Sequence, residues 1–152
     1  MTPTERRVTA THEAGHAVVA VHYGVPFSSV SVVPFSKTLG RLSLHRVWGQ
    51  PPHVPAMVLT TILFGGPEAE RHFFKANPQG SYMDYDYVRE VLGNAYGVDE
   101  IDRRAVQCET LAKALVVLHA GWIDRTARAL LEHKSLLTNQ VVELAAEPRR
   151  TR

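Results

Sequence analysis

The stretch His12-Glu13-Ala14-Gly15-His16 limits what this chain can fold into more than any other part of the sequence. On an α-helix, four residues advance by about 400°, so His12 and His16 lie one turn apart on the same face. Two imidazoles at that spacing can share one tetrahedral zinc ion, while Glu13 projects from the next position towards a water on the metal. The pattern H-E-x-x-H therefore indicates two ligands and a base of a catalytic zinc site.

The residues on both sides of this motif predict that it lies in a buried helix. Thr2-Pro3-Thr4-Glu5 offers an N-cap residue, a proline for the first turn and a glutamate that can complete a capping box, and Gly24 is a stop signal. The segment between them is apolar on nearly all sides. Polar side chains inside such a helix need partners, because an unpaired buried polar group is costly. A zinc ion satisfies the three polar residues of the motif together, whereas two hydrogen-bonded histidines without a metal are the simpler alternative.

A catalytic zinc also needs a third protein ligand and one open position. His22 lies six residues after His16, but on a continuing helix it is about 240° further round and faces away. Glu70 and Asp84 are the other candidates, and either can come from a later helix. Asp86 lies two residues after Asp84, and residues two apart on a helix face different ways. The spacing leaves the choice between Glu70 and Asp84 open.

The composition favours one globular domain and excludes several classes of site. The chain has 152 residues, 45% of them hydrophobic and 21% charged, which is ordinary for a domain with a single core. We expect residues 1–148 to form that domain and residues 149–152 to be a solvated basic tail. A net charge of +2 does not point to a nucleic-acid partner. Cys108 is the only cysteine, so we expect a small core residue and neither an intrachain disulfide nor a cysteine-type zinc site.

The sequence also lacks signals for export, membrane insertion and ATP binding. Its first residues lead directly into the predicted helix without a secretory signal, and no apolar run reaches the ~18 residues of a membrane span. The phosphate-binding pattern G-x-x-x-x-G-K-[ST] of ATPases is absent. We therefore expect a soluble chain in the cytoplasm.

Two segments after the first helix predict a small sheet. Residues 29–33 alternate and are rich in β-branched side chains, and residues 41–48 alternate between polar and apolar side chains. We therefore expect two antiparallel strands joined by a loop around 34–40. The rest of the chain reads as helix and loop. The predicted helices are 54–64, interrupted at Gly65-Gly66-Pro67, then 68–74, and after a loop at 77–80 the segments 81–95, 99–119, 123–133 and 138–146. The predicted fold is α+β and mainly α.

Five segments match, in chain order, the pattern of one protein family. They are residues 7–20, 30–34 with 39–40, 63–70, 80–84, and 130–132 with 136–138. Together they resemble the peptidase domain of the FtsH-type ATP-dependent zinc proteases, and they cover most of the chain, the second half more loosely. The resemblance implies a helical zinc-peptidase domain with its small antiparallel sheet near the active site.

The resemblance also implies which residues act. It implies that zinc is held by His12, His16 and Asp84. Asp84 is included because it ends a segment similar to the family's Gly-Ala-Ser-Asn-Asp, whose last residue is the third zinc ligand. Glu13 is then the general base. Glu70 becomes a neighbour of the metal site that accepts a hydrogen bond from a ligating imidazole and fixes its orientation.

The chain departs from the family pattern at several positions. Pro67 replaces an arginine, and Tyr82-Met83 replaces Ser-Asn, so helix starts nearby can differ. Asp84 is preferred to Asp86 as the third ligand because it keeps the family's four-residue distance from Gly80. The family's ATPase module and membrane anchor have no counterpart in this sequence.

We therefore expect a zinc metalloendopeptidase that hydrolyses peptide bonds in unfolded or extended polypeptides. An extended substrate would pair with the edge of the small sheet at Gly40, Arg41 and Leu42, although Gly40 can equally serve a turn. His45 can assist an oxyanion, but a solvated surface histidine is the simpler interpretation.

Two other functions stay open. One is a non-catalytic or regulatory zinc-binding module on a peptidase scaffold. The other is a peptidase subunit served by a separate AAA-type ATPase chain. The family works as rings, so an oligomer is compatible with the resemblance, but the sequence carries no signature of that interface.

Overall fold

The computed structural model describes residues 2–33, 41–42, 54–75 and 82–146, with backbone only at 41–42 and 82–84. The elements, in chain order, are α1 (Pro3–His22), β1 (Val30–Ser31), β2 (Arg41–Leu42), α2 (Ala56–Phe74), α3 (Tyr82–Tyr96), a 3-10 turn (Val98–Glu100), α4 (Ile101–Leu118), α5 (Ala120–His133), β3 (Ser135–Leu136) and α6 (Thr138–Glu143). The predicted α+β, mainly α fold is confirmed.

The first helix begins and ends where its sequence signals predicted. The Thr2 hydroxyl accepts a hydrogen bond from the backbone of Glu5, and the Glu5 carboxylate accepts one from the backbone of Thr2, which completes a capping box. At the other end Gly24 adopts a φ of +69°, a conformation that favours glycine and stops the helix after Tyr23. The middle of α1, from Thr9 to Ala20, is buried on every side.

The second helix corrects one prediction. Gly65-Gly66-Pro67 does not interrupt it: α2 is continuous from Ala56 to Phe74, with Pro67 inside. A proline inside a helix removes one backbone hydrogen bond. However, every residue of α2 from 60 to 70 is buried, and this segment packs against α1. Tertiary packing therefore outweighs the local signal to break the helix.

The small sheet has three strands in the order β2-β1-β3. Val30 lies opposite Leu42 in β2 and opposite Leu136 in β3, and both pairings are antiparallel. The predicted pairing of the first two strands is confirmed for these residues, while positions 43–48 of the second predicted strand lie outside the described residues. The third strand was not predicted, because a two-residue strand between two helices is too short to show alternation.

The helical second half follows the predicted segments with shifted ends. The helix expected over 99–119 starts with a 3-10 turn and becomes α-helical at Ile101. The loop predicted at 77–80 and the basic tail at 149–152 lie outside the described residues. Among the described residues, none of the helices is both long and apolar enough to cross a membrane.

Two groups of buried apolar side chains form the core. The larger one surrounds α1 and includes residues of α2, α5, β1 and α6. The smaller one joins α2, α3 and α4 and consists of Leu63, Phe64, Val88, Leu92, Cys108 and Ala112. Cys108 is buried, as predicted for a small core residue, and its burial raises the pKa of the thiol. Because α2 belongs to both groups, it lies between α1 on one side and α3 on the other.

Candidate metal centre

The two histidines of the motif converge on one point inside the protein. His12 and His16 are 7% and 5% exposed, and their Nε2 atoms are 2.9 Å apart. The rings meet edge to face, with centroids 4.6 Å apart and an angle of 80° between their planes. Zinc–nitrogen bonds of about 2.0–2.1 Å at a tetrahedral angle would separate two ligand nitrogens by about 3.3 Å. The observed 2.9 Å is somewhat shorter than that value and is also within hydrogen-bond distance, so a small outward movement of the rings would admit a zinc ion.

The opposite nitrogen of each ring contacts an oxygen on α2. His12 Nδ1 lies 2.5 Å from Glu70 Oε1, and His16 Nδ1 lies 2.8 Å from the backbone oxygen of Ile62. A carbonyl oxygen can only accept, so His16 Nδ1 carries the proton. At His12 the acceptor facing Nδ1 is a side-chain carboxylate oxygen instead of a backbone carbonyl. Partners of this kind fix the tautomer and the ring orientation of metal-ligating histidines.

These Nδ1 contacts determine the chemistry at Nε2. A neutral imidazole protonated at Nδ1 presents a lone pair at Nε2. The two Nε2 atoms lie 2.9 Å apart, which is within hydrogen-bond distance, so either one proton or one shared cation between them would stabilise the pair. The donor set therefore fits a divalent metal that accepts nitrogen ligands, such as zinc.

Gly66 allows the rings of His12 and His16 to pack directly against the backbone of α2. A Cβ atom at this position would lie 2.5 Å from His16 Nε2 and 2.7 Å from His12 Nε2. Contacts this short do not occur with real side chains, so residue 66 must be glycine for both rings to keep their places. The sequence suggested only a helix break here.

Glu13 follows His12 in α1 and is 5% exposed. It is one of the buried polar residues of this helix, together with the two histidines. The helix therefore carries the predicted base and both predicted nitrogen ligands within the same buried turn.

The third predicted ligand, Asp84, lies in the first turn of α3, and its side chain lies outside the described residues. Among the side chains that the structure describes, no group of three or more histidine, cysteine, aspartate or glutamate residues could hold a metal ion. Asp86 is exposed. Glu70 contacts the Nδ1 side of His12, where the resemblance implied a hydrogen bond to a ligand. The assignment of Asp84 stays a prediction.

His22 lies away from the motif, at the end of α1. Its Nδ1 atom is 3.0 Å from Nε2 of His119, which is 97 residues further along the chain. Burial lowers the pKa of His119, and the charge of His22 lowers it further. The structure thus gives His22 a structural partner and does not bring it to the two motif histidines.

The predicted substrate residues are only partly described. Gly40 and His45 lie outside the described residues. Arg41 and Leu42 form β2, at the end of the strand order, and β2 lies next to α1. The backbone of this strand is therefore close to the helix that carries the motif.

Arg71 and Tyr85 form a contact between α2 and α3 that no sequence pattern indicated. Arg71 Nη2 donates to the Tyr85 hydroxyl at 3.0 Å, and Arg71 Nη1 donates to the buried carboxylate of Glu68. Burial lowers the pKa of Arg71, but Tyr85 and Glu68 outweigh burial, so the pKa lies above its ordinary value. The sequence signal that could have indicated this contact is that Arg71 follows Glu70 and Tyr85 follows Asp84.

No protein-family model matches the chain, and a search of characterised proteins finds no significant match. The functional interpretation therefore depends on the chain's own residues and their geometry.

Proposed function

We propose that the chain is a zinc-dependent metallopeptidase that hydrolyses peptide bonds in unfolded or extended polypeptides. The observation that carries the proposal is the convergence of His12 Nε2 and His16 Nε2, each ring being held by an acceptor at Nδ1. A buried glutamate follows the first histidine. Two oriented imidazoles beside a carboxylate are the parts that H-E-x-x-H peptidases use. The five matching sequence segments support the same class.

In this proposal His12, His16 and Asp84 hold the zinc ion. Bound zinc would supply Lewis acidity that makes a water molecule more acidic and polarises a peptide carbonyl. The contacts of Glu70 and the Ile62 carbonyl with the Nδ1 atoms fix the two ring orientations and would keep both Nε2 atoms available to a shared ion. Gly66 allows both rings to lie against α2 in this arrangement, because any side chain at this position would clash with them.

Glu13 acts as the general base of the proposed reaction. Its carboxylate takes a proton from the attacking water and later passes that proton to the leaving amine. Burial of the side chain supports this role, because a carboxylate in a site of low dielectric interacts more strongly with a transferring proton than one in water. A module that only binds zinc has no need of this residue.

The substrate would bind as an extended strand beside β2. Within the described residues β2 has one strand neighbour, β1, and it lies next to α1. Main-chain hydrogen bonds to such an edge give affinity with little sequence preference, which suits unfolded polypeptides. Gly40, Arg41 and Leu42 are the residues proposed to make these bonds.

The direct test is zinc content together with hydrolysis of an unfolded protein such as casein by wild type and Glu13→Gln. We expect both proteins to bind one zinc ion, because Glu13 is not a ligand. Hydrolysis should fall by about 100-fold or more in the variant, since general base catalysis contributes about 10²–10⁴-fold.

Glu90→Gln is the matched control, because Glu90 is an exposed glutamate on α3. It should hydrolyse casein at the wild-type rate. Zinc binding without hydrolysis of any unfolded substrate would instead support a non-catalytic zinc-binding module. Hydrolysis that appears only with a co-purifying ATPase would support a peptidase subunit served by a separate chain.

A further inference from the structure

Tyr85 is held by α2 at both its ring and its hydroxyl. The hydroxyl accepts a hydrogen bond of 3.0 Å from Arg71 Nη2, and the same guanidinium binds the buried carboxylate of Glu68 through Nη1. The phenol ring packs edge to face on Phe64, with centroids 5.7 Å apart and an angle of 66°. Tyr85 therefore has a defined position and a defined rotation relative to α2.

In the sequence, these contacts lie beside one proposed metal ligand, Asp84, and beside Glu70, which contacts another. Arg71 follows Glu70, whose carboxylate contacts His12, and Tyr85 follows Asp84. Neighbouring residues of a helix point about 100° apart, so one turn of α2 can contact α1 through Glu70 and α3 through Arg71. The buried apolar residues of α3 that pack in the core, Val88 and Leu92, come later in the helix.

We propose that Arg71 and Tyr85 are positioning residues for the metal, which fix the first turn of α3, and with it Asp84, relative to the helix that orients His12. This inference rests on the proposed zinc site. Apolar contacts alone allow a helix turn to slide or rotate slightly, whereas a hydrogen bond to a charged donor is directional and strong. A metal site needs its ligands held within about 0.5 Å of the working geometry.

Glu68 gives this arrangement its rigidity. It is 5% exposed, and Arg71 binds it three residues further along the same helix. The guanidinium is thereby fixed on α2 before it reaches across to α3, and a second carboxylate, Glu109 on α4, lies 3.9 Å from Arg71 Nη1. A planar guanidinium can serve both Glu68 and Tyr85 at once, which an ammonium group on a flexible chain does poorly.

The test measures zinc affinity by competition with a chromophoric chelator in wild type, Tyr85→Phe and Arg71→Lys. Tyr85→Phe keeps the ring on Phe64 and removes only the hydroxyl. We expect its zinc Kd to rise about tenfold, the lower end of what loss of a supporting contact costs a metal site. Arg71→Lys keeps the charge beside Glu68 and should give a rise of similar size. The zinc-free variants should melt within a few degrees of wild type.

Tyr87→Phe is the control, because Tyr87 lies on the same helix and is 43% exposed. Its zinc Kd should equal that of wild type. Cobalt substitution gives a second readout: the visible spectrum of bound Co²⁺ should change in Tyr85→Phe and not in Tyr87→Phe, since the spectrum reports ligand geometry.

Each outcome has a distinct meaning. If wild type binds zinc and Tyr85→Phe binds it equally well with an unchanged cobalt spectrum, the positioning role is wrong and the zinc site stands. If wild type binds no zinc, the proposed function fails and this inference fails with it. A raised Kd and an altered spectrum at unchanged melting temperature would support the inference, because a merely structural role would act through stability.

Discussion

The Nδ1 contacts of His12 and His16 decide what these two residues can do. One ring contacts a carboxylate and the other a backbone carbonyl, both on α2. A carboxylate partner makes an imidazole a stronger electron donor than a carbonyl does, so we expect His12 to bind a metal ion more strongly than His16. Both rings nevertheless present Nε2 to the same point, 2.9 Å apart. The site is therefore organised by α2 as much as by the helix that carries the motif.

Gly66→Ala tests whether the packing of the two imidazoles against α2 is needed for zinc binding. The added Cβ would lie 2.5 Å from His16 Nε2, so at least one ring must move away from its Nδ1 partner. We expect zinc affinity to fall by at least about 100-fold, the upper end of the range for supporting residues, because the obstruction is direct. Isothermal titration calorimetry with zinc measures this change in affinity.

Gly121→Ala is the control for this substitution. Its Cβ would meet only the end of the Arg125 side chain, at 3.1 Å, and Gly121 lies on α5. It should bind zinc as wild type does. Wild-type zinc affinity in Gly66→Ala would contradict the prediction and place the zinc ion away from the two Nε2 atoms.

At the scale of single residues, the sequence predicts part of the proposed site. The spacing of the motif fixes the relation of His12, Glu13 and His16, because all three belong to one helix. Ile62 and Gly66 come from another helix, and no spacing within α1 can reveal them. The sequence offered Glu70 as a candidate third ligand, and only the resemblance suggested that it contacts a ligating imidazole instead.

At the scale of helices, the site depends on the close crossing of α1 and α2. A Cβ at Gly15 would lie 2.2 Å from the backbone oxygen of Gly65 and 2.7 Å from the Cβ of Ala69. A Cβ at Gly65 would in turn lie 2.8 Å from the backbone oxygen of Gly15. The two backbones are thus in contact at this point, which brings the oxygens of α2 within reach of the imidazoles.

Gly15→Ala should separate the two helices. The added methyl meets backbone atoms, which cannot move without shifting the helix, and overpacking of this kind costs about 1–3 kcal/mol. A helical glycine replaced by alanine gains about 0.5–1 kcal/mol, which offsets part of that cost. We expect the melting temperature to fall by about 2–6 °C, as measured by circular dichroism.

Gly93→Ala provides the comparison on α3, where the Cβ would meet only the Ile101 side chain, at 3.3 Å. It should leave the melting temperature unchanged or raise it. A Gly15→Ala protein as stable as Gly93→Ala would show that the close crossing is not required.

The same crossing explains why the break predicted in α2 was wrong. Gly65-Gly66-Pro67 reads as a helix interruption when only local propensities are considered. In the structure, Gly65 allows contact with α1 and Gly66 leaves space for two imidazole nitrogens. The cost of two glycines and a proline in one helix is offset by packing between residues distant in sequence, and a single sequence does not display that packing.

At the scale of the whole molecule, α1 is the central element. It contacts α2, α5, α6 and the first two strands, and its buried middle carries the motif. Its end is tied to the junction of α4 and α5 by the contact between His22 and His119. The motif histidines and this second histidine pair therefore lie at different points of the same helix.

The lowered pKa of His119 predicts how stability depends on pH. Burial and the charge of His22 make the native residue harder to protonate than the unfolded one. As pH falls through about 6.5, the unfolded chain takes up a proton that the native state does not, so stability decreases until the lowered native pKa is passed. In His119→Gln this part of the decrease should be absent.

Urea unfolding of metal-free protein at about pH 7.5 and about pH 5.5 measures this effect, on either side of the ordinary histidine pKa. The loss of unfolding free energy between the two values should be smaller in His119→Gln than in wild type. His133→Gln, which changes an exposed histidine at the end of α5, should behave as wild type does. An equal loss in all three proteins would contradict the prediction.

Elements governed by local signals were predicted more accurately than those governed by distant contacts. The capping box at Thr2 and the positive φ at Gly24 fixed both ends of α1, and each depends on residues adjacent in sequence. The third strand, Ser135–Leu136, pairs with Val30–Ser31 from the other end of the chain. Its two residues carry no pattern of their own, so only the folded structure reveals it.

The most direct test of the proposed zinc site is a crystal structure of zinc-loaded protein with anomalous diffraction at the zinc absorption edge. We expect one peak bonded to His12 Nε2, His16 Nε2 and a carboxylate oxygen of Asp84, each at about 2.0–2.2 Å. A peak elsewhere, or an Asp84 carboxylate more than ~5 Å from the imidazole nitrogens when direct bonds need ~2 Å, would contradict the zinc site and the peptidase function proposed from it.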